Sequence, residues 1–288
     1  MIFLYSTLFL IGTALIALRL ADEHADRAEW VRLAALQPER PAPYDPSLVS
    51  ELPEPAQRFF NFAITPGTPL YRVAKLRMEG QFSLGSKAAP NYQPMRAEQI
   101  LAAPEGFVWR MRLKGPMLIS GSDSSCWTRF RILGLIPVAR QGGNSDHARS
   151  AFGRYVAEAV FWTPAALLPG PGITWEAVDT DTARVTLSSG DLSQSVSIHM
   201  DKEGQPTHVS FMRWSNANPE KTFRLQPFGG ILSDFREIQG FRLPYQVNAG
   251  NGFGTDEYFV FFKARINDIH FDHNKREDMA LKTRWIIF

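Results

Sequence analysis

From Ala74 onward the chain is dominated by short runs in which apolar and polar residues alternate, and these runs constrain the fold most strongly. In "AKLRMEGQFSL", Ala74, Leu76 and Met78 share one face of a strand, and charged residues occupy the other. About ten such runs are separated by turn sequences such as "DKEGQ" and "NAGNGFGTD". A flat sheet of that width tends to curl or split. The pattern therefore predicts a mainly β (α+β) fold built on a strongly curved antiparallel sheet, a half-barrel.

The first residues form an apolar stretch, Ile2 to Leu18, that contains no charged side chain. As an α-helix it would be about 25 Å long, close to the hydrocarbon thickness of a bilayer. It lacks the basic region and the small-residue cleavage site of a signal peptide. We therefore predict an uncleaved N-terminal transmembrane helix and a single-pass protein of the cell membrane. A buried helix is the alternative.

The flanking charges bear on the membrane topology. Arg19, Arg27 and Arg32 follow the apolar stretch, and the positive-inside rule would then place the main domain in the cytoplasm. Acidic residues are mixed into the same flank, although they count little in that rule. The sequence leaves the side of the soluble domain open.

Changes in composition divide the chain into four parts. They are a membrane anchor at 1–21, a helical and proline-rich linker at 22–46, a curved β-sheet domain at 47–272 and a charged tail at 273–288. The stiff segment "PERPAPYDP" marks the main boundary. A short helix should follow it, because Ala56, Phe59 and Phe60 recur on one helical face.

One segment breaks the strand pattern and predicts a helix over 146–163. Asn144 or Ser145 can cap its start, and Pro164 ends it. Apolar residues recur at three- and four-residue spacing and form a wide stripe, with Glu158 on its flank and Arg154 nearly opposite. A single helix inserted between strands of a curved sheet can lie across the concave face, so we predict a lid.

Few residues of the chain suggest chemistry. The formal net charge of +2 gives no support for nucleic-acid binding. Cys126 is a single cysteine, for which burial as a small apolar residue is expected. Across a hairpin turn at 201–205, His199 should lie opposite Thr207 and away from His208, which argues against a shared metal ion. "HFDH" at 270–273 lacks a further ligand cluster. We predict no metal, cofactor or catalytic group.

A candidate binding site can still be assigned. Glu158 can form an ion pair with Arg140, which would fasten the lid helix to the sheet. Alternatively, Glu158 can orient a ligand or act as an acid inside an apolar cavity. The aromatic residues that could line such a cavity, although each could equally belong to the core, are Trp162, Tyr155, Trp109 and Trp175.

Several motifs together resemble an uncharacterised family of bacterial membrane-anchored proteins. They are "LPEPAQRFF", "APEGFVWRMRL", "LGLIPVARQGG", "RYVAEAVFWTPAALLPGPGITWE", "ARVTL" and "GFRLP", and they extend from Leu52 to Phe271. The resemblance implies a relation to lipoprotein-carrier half-barrels, whose concave side is covered by helices and holds acyl chains. It implies no activity. The chain departs from the family after "GFRLP", where "YQVNAGNGFGTDEYF" replaces a tryptophan-bearing strand.

Three functions follow as hypotheses. The first is a membrane-tethered module that binds a lipid or another apolar ligand, with the membrane as its partner. The second is a module that binds a protein of the cell envelope, whose identity the sequence does not give. The third is an enzyme that uses Glu158 with Arg140, for which no catalytic motif is present.

Overall fold

The computed structural model describes residues 2–271, so the predicted tail at 273–288 lies outside the described residues. Thirteen strands form one antiparallel sheet within the described residues. The strands are β1 (Ala74–Ser83), β2 (Tyr92–Ala102), β3 (Gly106–Leu113), β4 (Ser120–Ser124), β5 (Trp127–Ile132), β6 (Ile136–Gly142), β7 (Ile173–Asp179), β8 (Thr182–Ser189), β9 (Leu192–Met200), β10 (Pro206–Ser215), β11 (Arg224–Ile238), β12 (Phe241–Asn251) and β13 (Phe259–His270).

Three α-helices accompany the sheet in the same part of the chain. They are α1 (Ile2–Ala34), α2 (Glu54–Ala63) and α3 (Ser145–Trp162), and short 3-10 helices cover Pro46–Val49 and Pro164–Leu167. Helix α2 buries Ala56, Phe59 and Phe60, the face that the spacing predicts. Helix α1 is the described helix that is long and apolar enough to cross a membrane, a criterion that an N-terminal signal sequence also meets.

The strand order explains the shape of the sheet. Each strand pairs with the next one along the chain within two series, β1 to β6 and β7 to β13. Pairing of β1 with β13 joins the two series, so β6 and β7 are the edge strands. Because each strand twists relative to the next, thirteen strands curve strongly without closing. This open half-barrel confirms the predicted fold class. Most apolar side chains that face inward form one continuous core.

Helix α3 connects the two edge strands, and this connection places it across the concave face. The side chain of Asn144 caps it by accepting a hydrogen bond from the His147 N–H at 2.8 Å. It packs mainly against β9 and β10. Because the sheet curves around it, α3 buries residues on nearly all of its sides, including Phe152, Val156 and Val160. The helix is therefore enclosed by the half-barrel.

The second half of α1 lies on the convex side of the sheet. Trp30 and Leu33 pack there with Ile100 and Val108 in a second, smaller apolar cluster. Near this end, Arg32 donates a hydrogen bond to the carbonyl of the β2–β3 turn at 3.1 Å. The first half of α1 makes no comparable contact, and its side chains from Phe3 to Leu18 are exposed or half-exposed.

Candidate functional site

A cavity of about 490 Å³ lies between α3 and the concave face of the sheet. This volume falls within the about 300–1,000 Å³ that is common for small-molecule sites. Most of the wall is apolar and includes Phe82, Met111, Phe130, Phe161, Val209, Phe211, Phe228 and Phe262. Leu84 and Val138 also line the cavity and are 41% and 51% exposed, so the cavity opens beside them.

A charged cluster lies in the wall of this cavity. Arg154 of α3 donates a hydrogen bond from Nε to Glu158 Oε1 at 2.8 Å, and another from Nη1 to Asp123 Oδ2 at 2.6 Å. Its guanidinium also lies over the rings of Phe107 and Trp109, at 4.7 and 4.9 Å. Burial alone would lower the pKa of Arg154. The two carboxylates outweigh that effect, so the pKa is raised above its usual value. The ion pair with Asp123 fastens the lid to β4.

Arg154 lies opposite the apolar stripe of α3, as the spacing predicts, but this side of the helix is not open to solvent, and the Arg154 side chain is 17% exposed. The half-barrel covers α3 beyond its first turns, where Ser145 and Arg149 are exposed. The polar flank of this helix, with Arg154 and Glu158, faces the cavity instead.

The predicted ion pair between Glu158 and Arg140 does not form. Arg140 lies in β6, and its side chain points to the convex side of the sheet, toward α1. There the Arg140 guanidinium makes two hydrogen bonds to Asp22 of α1, at 2.7 and 2.9 Å. Glu158 accepts its second hydrogen bond from Gln99 of β2. The geometry therefore removes the basis for an enzyme that uses this pair.

The aromatic candidates divide into two groups. Trp109 and Trp162 line the cavity. Tyr155 lies in the core, where its hydroxyl donates to the Pro104 carbonyl at 3.0 Å and where burial raises its pKa above the usual range. Trp175 packs against the rings of α2 and donates from Nε1 to the Leu167 carbonyl at 2.9 Å. That any of these side chains binds a ligand stays a prediction.

Arg213 of β10 also lines the cavity, and its surroundings differ from those of Arg154. Its Nε is buried without a hydrogen-bond partner, and its side chain makes no ion pair or hydrogen bond within the described residues. Its guanidinium carbon lies 5.1 Å from the centre of the Phe228 ring. Burial and, to a smaller extent, repulsion from Arg154 lower the pKa of Arg213 to about 10, although Asp123 and Glu158 oppose the shift. It remains charged at neutral pH.

The sequence contained a signal for Arg213 that alternation alone could have detected. In the strand "THVSFMRWS", Val209, Phe211 and Arg213 are in phase. Val209 and Phe211 are buried apolar residues that face the core, so Arg213 must point the same way. An arginine in the buried phase of a strand is uncommon and indicates a special environment.

The expected arrangement of the two histidines is also wrong. His208, rather than Thr207, pairs directly with His199, and the two imidazole rings stack with centroids 4.1 Å apart. The register shifts between Pro206 and His208, which moves the facing residues by one position and brings both rings to one face. Burial lowers the pKa of both histidines below the usual value.

Two further residues were candidates in the sequence. Cys126 is exposed rather than buried, because it lies in the turn between β4 and β5 and not within a strand. His270 contacts Asp268, with Nε2 2.6 Å from Oδ2. The remaining histidine of that motif, His273, lies outside the described residues.

These features define the class: a curved, open antiparallel sheet that encloses one helix and, beside it, a largely apolar cavity. Residues 42–264 match the model of a family of unknown function, DUF6544. The match covers more than half of the chain, so the protein belongs to this family, as the resemblance implies. A search of curated proteins found no match.

Three solved structures of bacterial proteins are similar to this chain in fold. A LolA superfamily protein from Nitrosomonas europaea is 9% identical, with a TM-score of 0.41, over 77% of this chain and 94% of the other. A putative outer membrane lipoprotein-sorting protein domain from Vibrio parahaemolyticus is 10% identical, with a TM-score of 0.38, over 74% and 91%. A DUF1329 family protein from Desulfovibrio piger is 11% identical, with a TM-score of 0.38, over 77% and 92%.

Proposed function

We propose that the protein is a membrane-tethered module that binds a lipid or another apolar ligand between α3 and the sheet. The observation that carries the proposal is the cavity of about 490 Å³ with its largely apolar wall. Burial of apolar surface releases about 25 cal/mol per Å², so an apolar chain gains free energy by leaving water for such a wall. The exposed apolar half of α1 supports a membrane location.

The proposal can be tested with the full chain in phospholipid vesicles. A hydrocarbon probe that carries a photoreactive diazirine is added, and labelled peptides are identified by mass spectrometry. We expect labels in α3 and β13, which line the cavity, as well as in the apolar half of α1, which reports on probe in the bilayer. Labels in α1 alone would contradict ligand binding in the cavity.

A cavity-filling variant makes the test specific. Ala157 lines the cavity, so Ala157→Phe places a phenyl ring in it, whereas Ala177→Phe adds the same ring on an exposed position of β7. Loss of about 1.4 kcal/mol of binding free energy lowers labelling of α3 and β13 about tenfold. We expect at least that loss for Ala157→Phe, no loss for Ala177→Phe, and unchanged labelling of α1 in both.

A further inference from the structure

The cavity contains two buried N–H groups that have no hydrogen-bond acceptor in the described residues, Nε of Arg213 and Nε1 of Trp109. Both side chains belong to the wall of the cavity. A buried donor without an acceptor is costly, and a buried guanidinium is more so. These two nitrogens are covered by protein, but the Nη groups of Arg213 are not among the buried atoms and make no hydrogen bond in the described residues. The Nη groups are therefore the donors for which a ligand in the cavity can supply an acceptor.

The other charges of the cavity do not supply that acceptor. The carboxylates of Asp123 and Glu158 are the nearest candidates, and both already accept hydrogen bonds from Arg154. Their other oxygens accept from Thr128 and Gln99. The acidic groups thus bind other donors, and the half-buried Arg213 makes no hydrogen bond with them.

The position of Arg213 fits the head of an amphiphilic ligand. It is two residues from the end of β10, and the residues that follow, Ser215 to Ala217, form a polar part of the cavity wall. The apolar part of the wall continues inward to Val209 and Phe211 of the same strand. A chain lying along this wall would place its polar end beside Arg213.

We propose that the ligand is an anionic amphiphile, an apolar chain whose acidic head accepts hydrogen bonds from Arg213. The inference rests on the proposed function. The head is an oxygen acid, because a guanidinium binds carboxylate or phosphate oxygens through two parallel N–H groups. The long-chain fatty acid is the simplest molecule of this class, and an acidic phospholipid would present the same chemistry.

The test compares diazirine-bearing palmitate with diazirine-bearing hexadecanol, which has the same chain and a neutral head. The full chain is placed in vesicles of phosphatidylcholine, and labelling of cavity peptides is divided by labelling of α1, which corrects for partitioning of the probes. A charge-assisted hydrogen bond predicts a ratio about tenfold higher for palmitate. Diazirine-bearing phosphatidic acid, run in parallel, separates a phosphate head from a carboxylate.

Variants identify the residue. Arg213→Gln should abolish the preference for palmitate, whereas Arg184→Gln, on the half-exposed β8, should preserve it. If Arg213→Gln does not fold, the preference of the wild type for palmitate over hexadecanol still decides. Equal labelling by palmitate and hexadecanol would overturn the acidic head while leaving the cavity function intact. Absence of cavity labelling by every probe would contradict the proposed function itself.

A second, independent observation concerns the direction in which the cavity opens. The cavity mouth lies beside Leu84 and Val138, at the end of the sheet where β1 and β3 end and β6 begins. Helix α1 touches this same end: Arg19 donates to the carbonyl of Gly134, in the β5–β6 turn, at 3.3 Å. At the other end of the sheet, Arg32 binds the β2–β3 turn.

These two contacts fix the path of the anchor. Residues 19 to 32 of α1 follow the back of the sheet from the end with the mouth to the opposite end. Because α1 is one continuous helix, its residues before Arg19 extend beyond the mouth end by about 25 Å. The membrane that holds the apolar half of α1 must therefore lie on the side to which the cavity opens.

The turns at the mouth end expose apolar side chains. Met117, Leu118, Leu133 and Ile136 are 45%, 54%, 58% and 51% exposed. The β3–β4 and β5–β6 turns that carry them are joined by a hydrogen bond from Leu133 N to Met117 O at 3.2 Å. A contiguous exposed apolar patch of this kind usually marks an interaction site.

We propose that these two turns contact the bilayer in which α1 is anchored. The cavity mouth then faces lipid, and the ligand passes between the bilayer and the cavity without crossing water.

The test uses the Cys126→Ser background, in which Leu133→Cys and Glu203→Cys are each labelled with a polarity-sensitive dye. The full chain is placed in phosphatidylcholine vesicles with brominated lipid. Glu203 is exposed in the β9–β10 turn at the opposite end.

The expected result is a blue shift and quenching at position 133, with neither effect at position 203. Equal, water-like emission at both positions would overturn the membrane contact, and quenching at 203 alone would reverse the orientation. The photolabelling of α3 and β13 does not depend on this result. Failure of the membrane contact is therefore distinguishable from failure of the cavity function.

Discussion

Asp22 connects α1 to the sheet through three arginines, and its removal should destabilise the protein strongly. The Asp22 side chain is 5% exposed and accepts two hydrogen bonds from Arg140. Arg129 lies within ion-pair distance at 3.1 Å, and Arg131 is also in contact with the carboxylate. We consider Asp22→Asn, which keeps the volume of the side chain and removes its charge.

The expected cost follows from the burial of the arginines that remain. The side chains of Arg129 and Arg131 are 18% and 9% exposed, and burial already lowers the pKa of each guanidinium. Removing one partner of a buried ion pair costs about 3–5 kcal/mol, because the other charge stays buried without compensation. For a domain of this size the melting temperature would fall by roughly 6–20 °C.

Arg140→Gln is the matched control. Its side chain is 43% exposed, and its loss leaves Asp22 with two other arginines. An exposed ion pair contributes about 0.2–1 kcal/mol, so this variant should lose only that amount. Both variants are compared with the wild type by urea unfolding of the full chain in a mild detergent, followed by circular dichroism.

The result that would refute this reasoning is a loss below about 1 kcal/mol for Asp22→Asn, equal to that of Arg140→Gln. The three arginines would then be hydrated well enough to need no buried partner. The apolar cluster of Trp30 and Leu33 and the remaining hydrogen bonds, rather than the charge of Asp22, would then hold α1 on the convex face.

Two further predictions concern pH and a turn. Burial lowers the pKa of His199 and His208 in the folded protein. The unfolded chain therefore binds protons at a higher pH than the folded protein does. As a result, the free energy of unfolding should fall as the pH decreases below about 6.5. The double variant His199→Gln/His208→Gln should flatten this pH dependence, and an unchanged slope would contradict it. In the β11–β12 turn, Gly240 has φ +85° and a Cβ there would collide with Thr68. A left-handed backbone alone costs a non-glycine residue about 1–2 kcal/mol. Gly190→Ala measures this cost, because a Cβ at Gly190 would contact nothing. Gly240→Ala should lower the free energy of unfolding by more than Gly190→Ala does.

The sequence was sufficient to predict the sheet because alternation is local and repeated. Most strands show their buried face by themselves, and about ten such runs leave few architectures other than a curved sheet, although β2 and β6 have no clear alternation and were not predicted. The cap at Asn144 and the end of α3 before Pro164 are also local, since capping and proline geometry depend on a few neighbours.

The partners within the site could not be predicted in this way. To predict the partner of Glu158, one has to know on which face of β6 Arg140 lies. This face is not evident from the sequence, because β6 is a short edge strand that pairs with β5 in an irregular register. The register of the histidine pair shifted through one irregularity at Pro206. Such shifts change the face on which a side chain lies without changing the pattern of the sequence, so the pattern does not specify contacts across the sheet.

The lid and the anchor are coupled through a single strand. In β4, Ser122 points to the convex side and donates a hydrogen bond to Asp26 of α1 at 2.8 Å, while its neighbour Asp123 points to the concave side and binds Arg154 of α3 at 2.6 Å. Successive residues of a strand face opposite sides, so two adjacent residues of β4 connect two helices that lie on opposite faces of the sheet. The cavity wall and the second half of α1 are therefore separated by the thickness of one sheet.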